Sequence, residues 1–177
     1  MISPFPAAAP DFSDPVGLLR ACHGRILAHC ATLERLVPHL ARHGADAEAR
    51  EAMARVHRYF ATAAQHHHAD EEQDLFPRLN TVAPALIPLI QELEREHEGL
   101  SRHWQALTPL LAEPEQAMAD AATFTRVVAA FIAGYQTHAA KENEHLLPRA
   151  AEALSPEDLR ELGARMAARR GVALPSA

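Results

Sequence analysis

The chain has 177 residues, a length that suits one domain with a substantial core rather than two. Only seven glycines, few aromatic residues and abundant Ala, Leu, Glu and Arg favour helix over sheet. A formal net charge of -6, with no basic run beyond Arg169-Arg170, argues against nucleic acid as a partner, because phosphates ask for a positive patch.

Residues 1–14 are proline-rich and lack periodicity, which predicts a flexible arm. The start, Met1-Ile2-Ser3-Pro4-Phe5-Pro6, has neither the basic residues nor the apolar stretch of a signal peptide. No apolar run approaches the roughly 20 residues that span a membrane. The expectation is a cytoplasmic protein with no membrane partner. Cys22 and Cys30 stand eight apart on one helix, a rise of about 12 Å, beyond the roughly 7 Å limit between disulfide-bonded Cα atoms. Both are expected to be free.

An apolar stripe at three- and four-residue steps (Val16, Leu19, His23, Ile26, Cys30, Leu33, Val37) predicts a first amphipathic helix, ended by Pro38 and His43-Gly44-Ala45-Asp46. A second helix starts near Ala47 and turns Val56, Phe60, Ala63, His67, Glu71 and Leu75 inward, with Pro77 and Asn80 closing it. Pro84 and Pro88 suit the start of a third, whose stripe runs Ile90, Leu93, His97, Leu100, Trp104, Leu107, Leu111. The fourth is expected from about Ala117 to Leu147, with Val127, Phe131, Gly134, Tyr135, His138, Glu142 and Leu146 inward. Ser155-Pro156-Glu157-Asp158 is a helix-start signature, so a short fifth helix and a tail complete the chain.

The second and fourth helices superpose at an offset of 71 residues: Val56 on Val127, Phe60 on Phe131, His67 on His138, Glu71 on Glu142, Leu75 on Leu146, Pro77 on Pro148. At an offset of 74, the first superposes on the third, placing His23 on His97. Two related hairpins pair into an all-α, antiparallel up-down-up-down four-helix bundle over residues 15–152, followed by the extra helix and tail over 153–177.

Each bundle helix then turns one histidine inward, and two bring a glutamate one turn later, on the same face. Six such groups at one depth of a core need partners. A dinuclear metal centre of His23, His67, Glu71, His97, His138 and Glu142 satisfies them all. Imidazole and carboxylate without thiolate suit iron or manganese, with zinc also compatible. Four nitrogens, two bridging carboxylates and a bridging oxide or hydroxide fill about ten of about twelve positions, leaving about one open site per ion. His68 with Glu72 shares the four-residue spacing but lies about 100° off the apolar stripe. The repeat register selects His67 and Glu71, which puts His68 at the rim with His29, His39, His43, His57, His66, His103 and His145.

These residues resemble the hemerythrin-like domain with the His-His-Glu signature, over about Val16 to Arg170. The resemblance rests on His23, on His67 with Glu71 and Leu75-Phe76-Pro77, on Glu96-His97, and on His138 with Glu142. It implies a non-haem di-iron centre that binds oxygen, nitric oxide or peroxide. Oxygen-carrying hemerythrins place a fifth histidine where this chain has Ser101, and pair His with Asp five apart in the fourth helix. The four-His, two-Glu set is similar to the di-iron proteins of iron-sulfur-cluster repair and nitric oxide stress, though their separate cysteine-bearing domain is not seen here. Three roles follow as expectations: oxygen or nitric oxide binding and sensing; a di-iron enzyme such as a peroxidase, nitric oxide reductase or iron-handling protein; or a bundle merely locked by its metal. Tyr135, one turn before His138, is either a donor to a bound ligand or core packing.

Overall fold

The computed structural model describes residues 11–174, and every regular element among them is helical. Most of the expected N-terminal arm, and the last three residues of the tail, lie outside the described residues. Its final part, Asp11 to Asp14, is a turn in which the Asp14 N–H donates to the Asp11 carbonyl.

The Asp14 carboxylate then caps α1 (Pro15–His43), accepting from the Gly17 N–H at 2.9 Å. Pro15 occupies the first helical position, where no N–H is needed. The expected stop at Pro38 does not occur. Leu36 and Leu40 are buried on either side of it, and their packing outweighs the one hydrogen bond that Pro38 cannot donate. The helix ends at the second expected signal, His43 with Gly44, whose φ of 71° suits glycine.

The second rod is not one continuous α-helix. It consists of α2 (Ala47–Ala61), a break at Thr62 (φ -128°, ψ -77°), α3 (Ala63–Asp70), a π-helical turn (Glu71–Leu75) and α4 (Phe76–Val82). A 3₁₀ turn (Pro84–Leu86) leads into α5 (Ile87–Ala112), which passes through Pro109. The short α6 (Pro114–Ala119) precedes α7 (Ala121–Lys141), so the fourth rod begins later than expected. It continues through a second π turn (Glu142–Leu146) into α8 (Leu147–Ala153), past the expected end at Leu147.

The two π turns sit at equivalent positions of the repeat, and the following prolines account for them. Pro77 and Pro148 lack an N–H, and their rings crowd the carbonyls four residues back. Widening the preceding turn relieves that contact. The Phe76 N–H then reaches the Glu71 carbonyl, and the Leu147 N–H reaches that of Glu142, each five residues back. Pro77, which reads as a helix stop, and its counterpart Pro148 are therefore internal to the rods.

α1 packs against α2 and α7, and α5 packs against the same two, which closes an antiparallel ring of four rods. Two apolar clusters fill it. One, around Ile26, Leu33, Met53, Phe60, Leu107 and Phe131, occupies one end; the other, around Leu19, Leu75, Phe76, Leu79, Leu93 and Leu146, occupies the opposite end. The inward histidines and glutamates form a polar layer between them.

The final helix, α9 (Pro156–Arg169), carries the expected capping box between Ser155 and Asp158. It lies outside the ring against α1, α3 and the first π turn. Two features hold it there. A Cβ on Gly163 would overlap the Phe12 carbonyl, so only glycine permits that close approach. Arg169 and Arg170 both reach Asp70, a fully buried carboxylate at the end of α3, and Arg165 and Arg169 reach Asp74 in the π turn.

Candidate metal centre

All six sequence-predicted site residues converge in the polar layer. His23, His67, His97 and His138 are at most 2% exposed, and Glu71 and Glu142 are fully buried. They fall into two overlapping groups. His23, His67, Glu71 and Glu142 each offer an atom within 4.8 Å of the others, and so do Glu71, His97, His138 and Glu142. Both glutamates belong to both groups. Glu71 lies 3.4 Å from His67 Nε2 through Oε1 and 3.4 Å from His97 Nε2 through Oε2. The Glu142 Oε2 lies 2.9 Å from His23 Nε2 and 3.4 Å from His138 Nε2.

These approaches are close without satisfying the atoms. All four carboxylate oxygens of Glu71 and Glu142 lack a hydrogen-bond partner, as do His23 Nε2 and both ring nitrogens of His67. Buried carboxylates without donors are costly in an apolar core. The donor set, imidazole nitrogen and carboxylate oxygen aimed at shared points, fits a pair of cations.

The far sides of three rings are fixed from outside. The Nδ1 of His97 is 2.7 Å from Glu72 Oε1, that of His138 is 2.9 Å from Glu96 Oε2, and that of His23 is 2.9 Å from Asn143 Oδ1. Such partners leave Nε2 facing the interior. Glu72 and Asn143 are related by the 71-residue repeat, and each follows its glutamate directly. Each therefore grips the histidine of the opposite hairpin, one with a charged group and one with a neutral amide. Lys141 joins Glu92 and Glu96, which anchors the partner of His138.

The protonation pattern follows from this geometry. Burial works against charge on His97, but Glu71 and Glu72 outweigh it and push its pKa up to about 10. Burial, with the Glu142 carboxylate alongside, raises Glu71 to about 8. Burial opposes charge on Glu142 as well, yet His138 and His23 outweigh it and hold that carboxylate below its ordinary value. His67 is driven well below the ordinary imidazole value by burial and by the neighbouring imidazoles.

His68 is the residue that sequence reasoning misplaced. It is buried, 7% exposed, and its Nε2 has no partner. Its ring stacks on His97 at 4.1 Å between centroids and 18° between planes. The inward face at this level is wider than a single stripe: the equivalent residue of the unbroken α7, Ala139, is buried beside His138 just as His68 is beside His67. Asp70, also unforeseen, is buried where α9 packs on α3 and is paired with Arg169 and Arg170. The other histidines expected at the rim are half-buried or exposed, and Ser101 is exposed. Cys22 and Cys30 are free, as expected. Tyr135 packs against Phe60 and Phe131 in the aromatic cluster, which supports its core role.

Residues 14–150 match the family described as "Hemerythrin HHE cation binding domain". An uncharacterized protein of Haemophilus influenzae (strain ATCC 51907 / DSM 11121 / KW20 / Rd) is 36% identical over 171 residues, covering 94% of this chain and 96% of the relative. Among the described residues no helix is long and apolar enough to cross a membrane.

Proposed function

Because the chain belongs to the hemerythrin HHE cation-binding family, we propose that it is a dinuclear non-haem iron protein that binds oxygen, nitric oxide or peroxide, in sensing or stress response. His23 and His67 would hold one ion, His97 and His138 the other, and Glu71 and Glu142 would be shared between them. One observation carries the reading: four fully buried carboxylate oxygens have no hydrogen-bond partner, and each carboxylate approaches a histidine of both groups. Two divalent ions with two carboxylates and one hydroxide nearly cancel in charge, as an apolar interior requires.

When bound, the iron pair supplies Lewis-acid and one-electron redox chemistry with positions open to a small ligand. The protein's own part is to orient and to exclude. Glu72, Glu96 and Asn143 set the ring orientations of His97, His138 and His23. Phe60 and Phe131 on one side, Leu75 and Leu146 on the other, keep water from the layer.

Metal analysis of the purified protein, with absorption spectra before and after reduction and exposure to oxygen or nitric oxide, tests this reading. Iron near two per chain and a gas-dependent spectrum are expected. A protein without iron, or with an iron spectrum indifferent to both gases, refutes it. Turnover of peroxide or nitric oxide that disappears in Glu142→Ala would reassign the protein as an enzyme, and an inert zinc ion as a structural one.

A further inference from the structure

We propose that His68 is a fifth imidazole donor, joining His97 and His138 at one of the two cation positions and making the pair unequal. The inference rests on the dinuclear reading above. Four observations carry it. His68 is more than nine-tenths buried, yet its Nε2 meets no hydrogen-bond partner, a cost that coordination would remove. A donor atom of His68 lies within 4.8 Å of those of His97 and His138, a cluster distinct from the two that contain the glutamates. Its ring is stacked on that of His97 at 4.1 Å, nearer than its sequence neighbour His67 at 5.9 Å, so it sits beside His97. Finally, the residue equivalent to His68 in the second hairpin is Ala139, so the His23 and His67 side gains no matching imidazole.

The donor sets then differ. His68, His97 and His138 with one oxygen from each glutamate give five donors, whereas His23 and His67 with the same glutamates give four. Second partners reinforce the inequality, since His97 and His138 are each backed by a carboxylate and His23 by an amide. A fifth nitrogen cannot come from a register slip of the whole helix, because His67 and Glu71 keep their places. It comes from the side chain at that position: the equivalent site of α7 is buried as well but carries Ala139.

The test loads the full chain anaerobically with ⁵⁷Fe(II) and compares it with His68→Ala, His68→Gln and the neighbouring control His66→Ala. Metal titration and Mössbauer spectra are the readouts. Wild type and His66→Ala should bind two irons and show two distinct quadrupole doublets. Both His68 variants should lose at least about tenfold in affinity for one iron, the floor for groups that merely support a donor. One doublet should change and the other persist, and free imidazole should restore the second iron in His68→Ala. Two-iron variants with wild-type affinities and unchanged doublets overturn the proposal. Should His68→Ala fail to fold, His68→Gln decides; failure of both without metal would make His68 a core residue and overturn it equally. A wild-type chain that takes up no iron refutes the dinuclear reading itself, a separate outcome from two bound irons indifferent to His68.

Discussion

Glu71→Gln separates a metal-binding role from a structural one, because it keeps the size of the side chain and removes its charge. In the metal-free protein, burial and the neighbouring Glu142 carboxylate favour the neutral form of Glu71. The amide therefore replaces a neutral carboxyl, and the expected cost is about 1 kcal/mol or less, the scale of one net hydrogen bond. For a chain of this size that is about 2–4 °C in Tm. With free metal at a hundred times Kd, each bound ion stabilises by about 2.7 kcal/mol, so two ions contribute about 5 kcal/mol. That corresponds to a rise of about 10–20 °C. Calorimetric melts of chelator-treated and reloaded protein measure both quantities. Wild type should gain the full increment on reloading, and Glu71→Gln little of it, from nearly equal starting points. Equal gains in both proteins would refute the reasoning. So would a variant already about 10 °C less stable when metal-free, because Glu71 would then be a structural partner.

Three further outcomes follow from the packing. Arg169→Ala with Arg170→Ala strips the cations from buried Asp70 and should cost about 3–5 kcal/mol in urea unfolding, the range for a buried charge left unpaired; an unchanged midpoint would mean that Asp70 is solvated. Gly163→Ala forces its Cβ onto the Phe12 carbonyl and should destabilise by about 1–3 kcal/mol, the usual cost of overpacking, whereas a wild-type midpoint would remove the contact. Ser155, and Arg78 after it, hold the Asp158 carboxyl down to about 2, so its stabilisation is present above the ordinary value of 3.8 and is lost as pH falls through 2. Melting temperatures of wild type and Asp158→Asn should therefore differ at pH 7 and converge near pH 2; a gap that persists in acid would contradict the assignment.

The helical class, the bundle order and the six convergent residues were legible because two periodicities coincide in this sequence. The 3.6-residue stripe gives each helix an inward face, and the 71- and 74-residue offsets fix which histidine lies on it. What was not legible depends on backbone departures that leave a faint trace in side-chain pattern. Pro77 reads as a helix end because a proline usually stops a helix, and the fourth helix is expected to end at Leu147, yet a π turn absorbs Pro77 and, in the same way, Pro148. The inward face at the polar layer takes in two adjacent positions, His67 and His68, as it does His138 and Ala139, and a stripe that selects one residue per turn does not show the second. The role of α9 was hidden for another reason: the pairing of Arg169 and Arg170 with Asp70 spans about a hundred residues and has no periodicity to announce it.

The sharing of Glu71 and Glu142 has a consequence for the order of assembly. Each group takes three residues from one hairpin and a single carboxylate from the other: His23, His67 and Glu71 await Glu142, while His97, His138 and Glu142 await Glu71. As the chain leaves the ribosome, the N-terminal hairpin presents an incomplete donor set for as long as the second is missing. On the proposed dinuclear reading, metal capture would belong to the last stage of maturation, after the hairpins dock. Each bound ion would then cross-link halves of the chain whose covalent link is the 3₁₀ turn Pro84–Leu86 between α4 and α5.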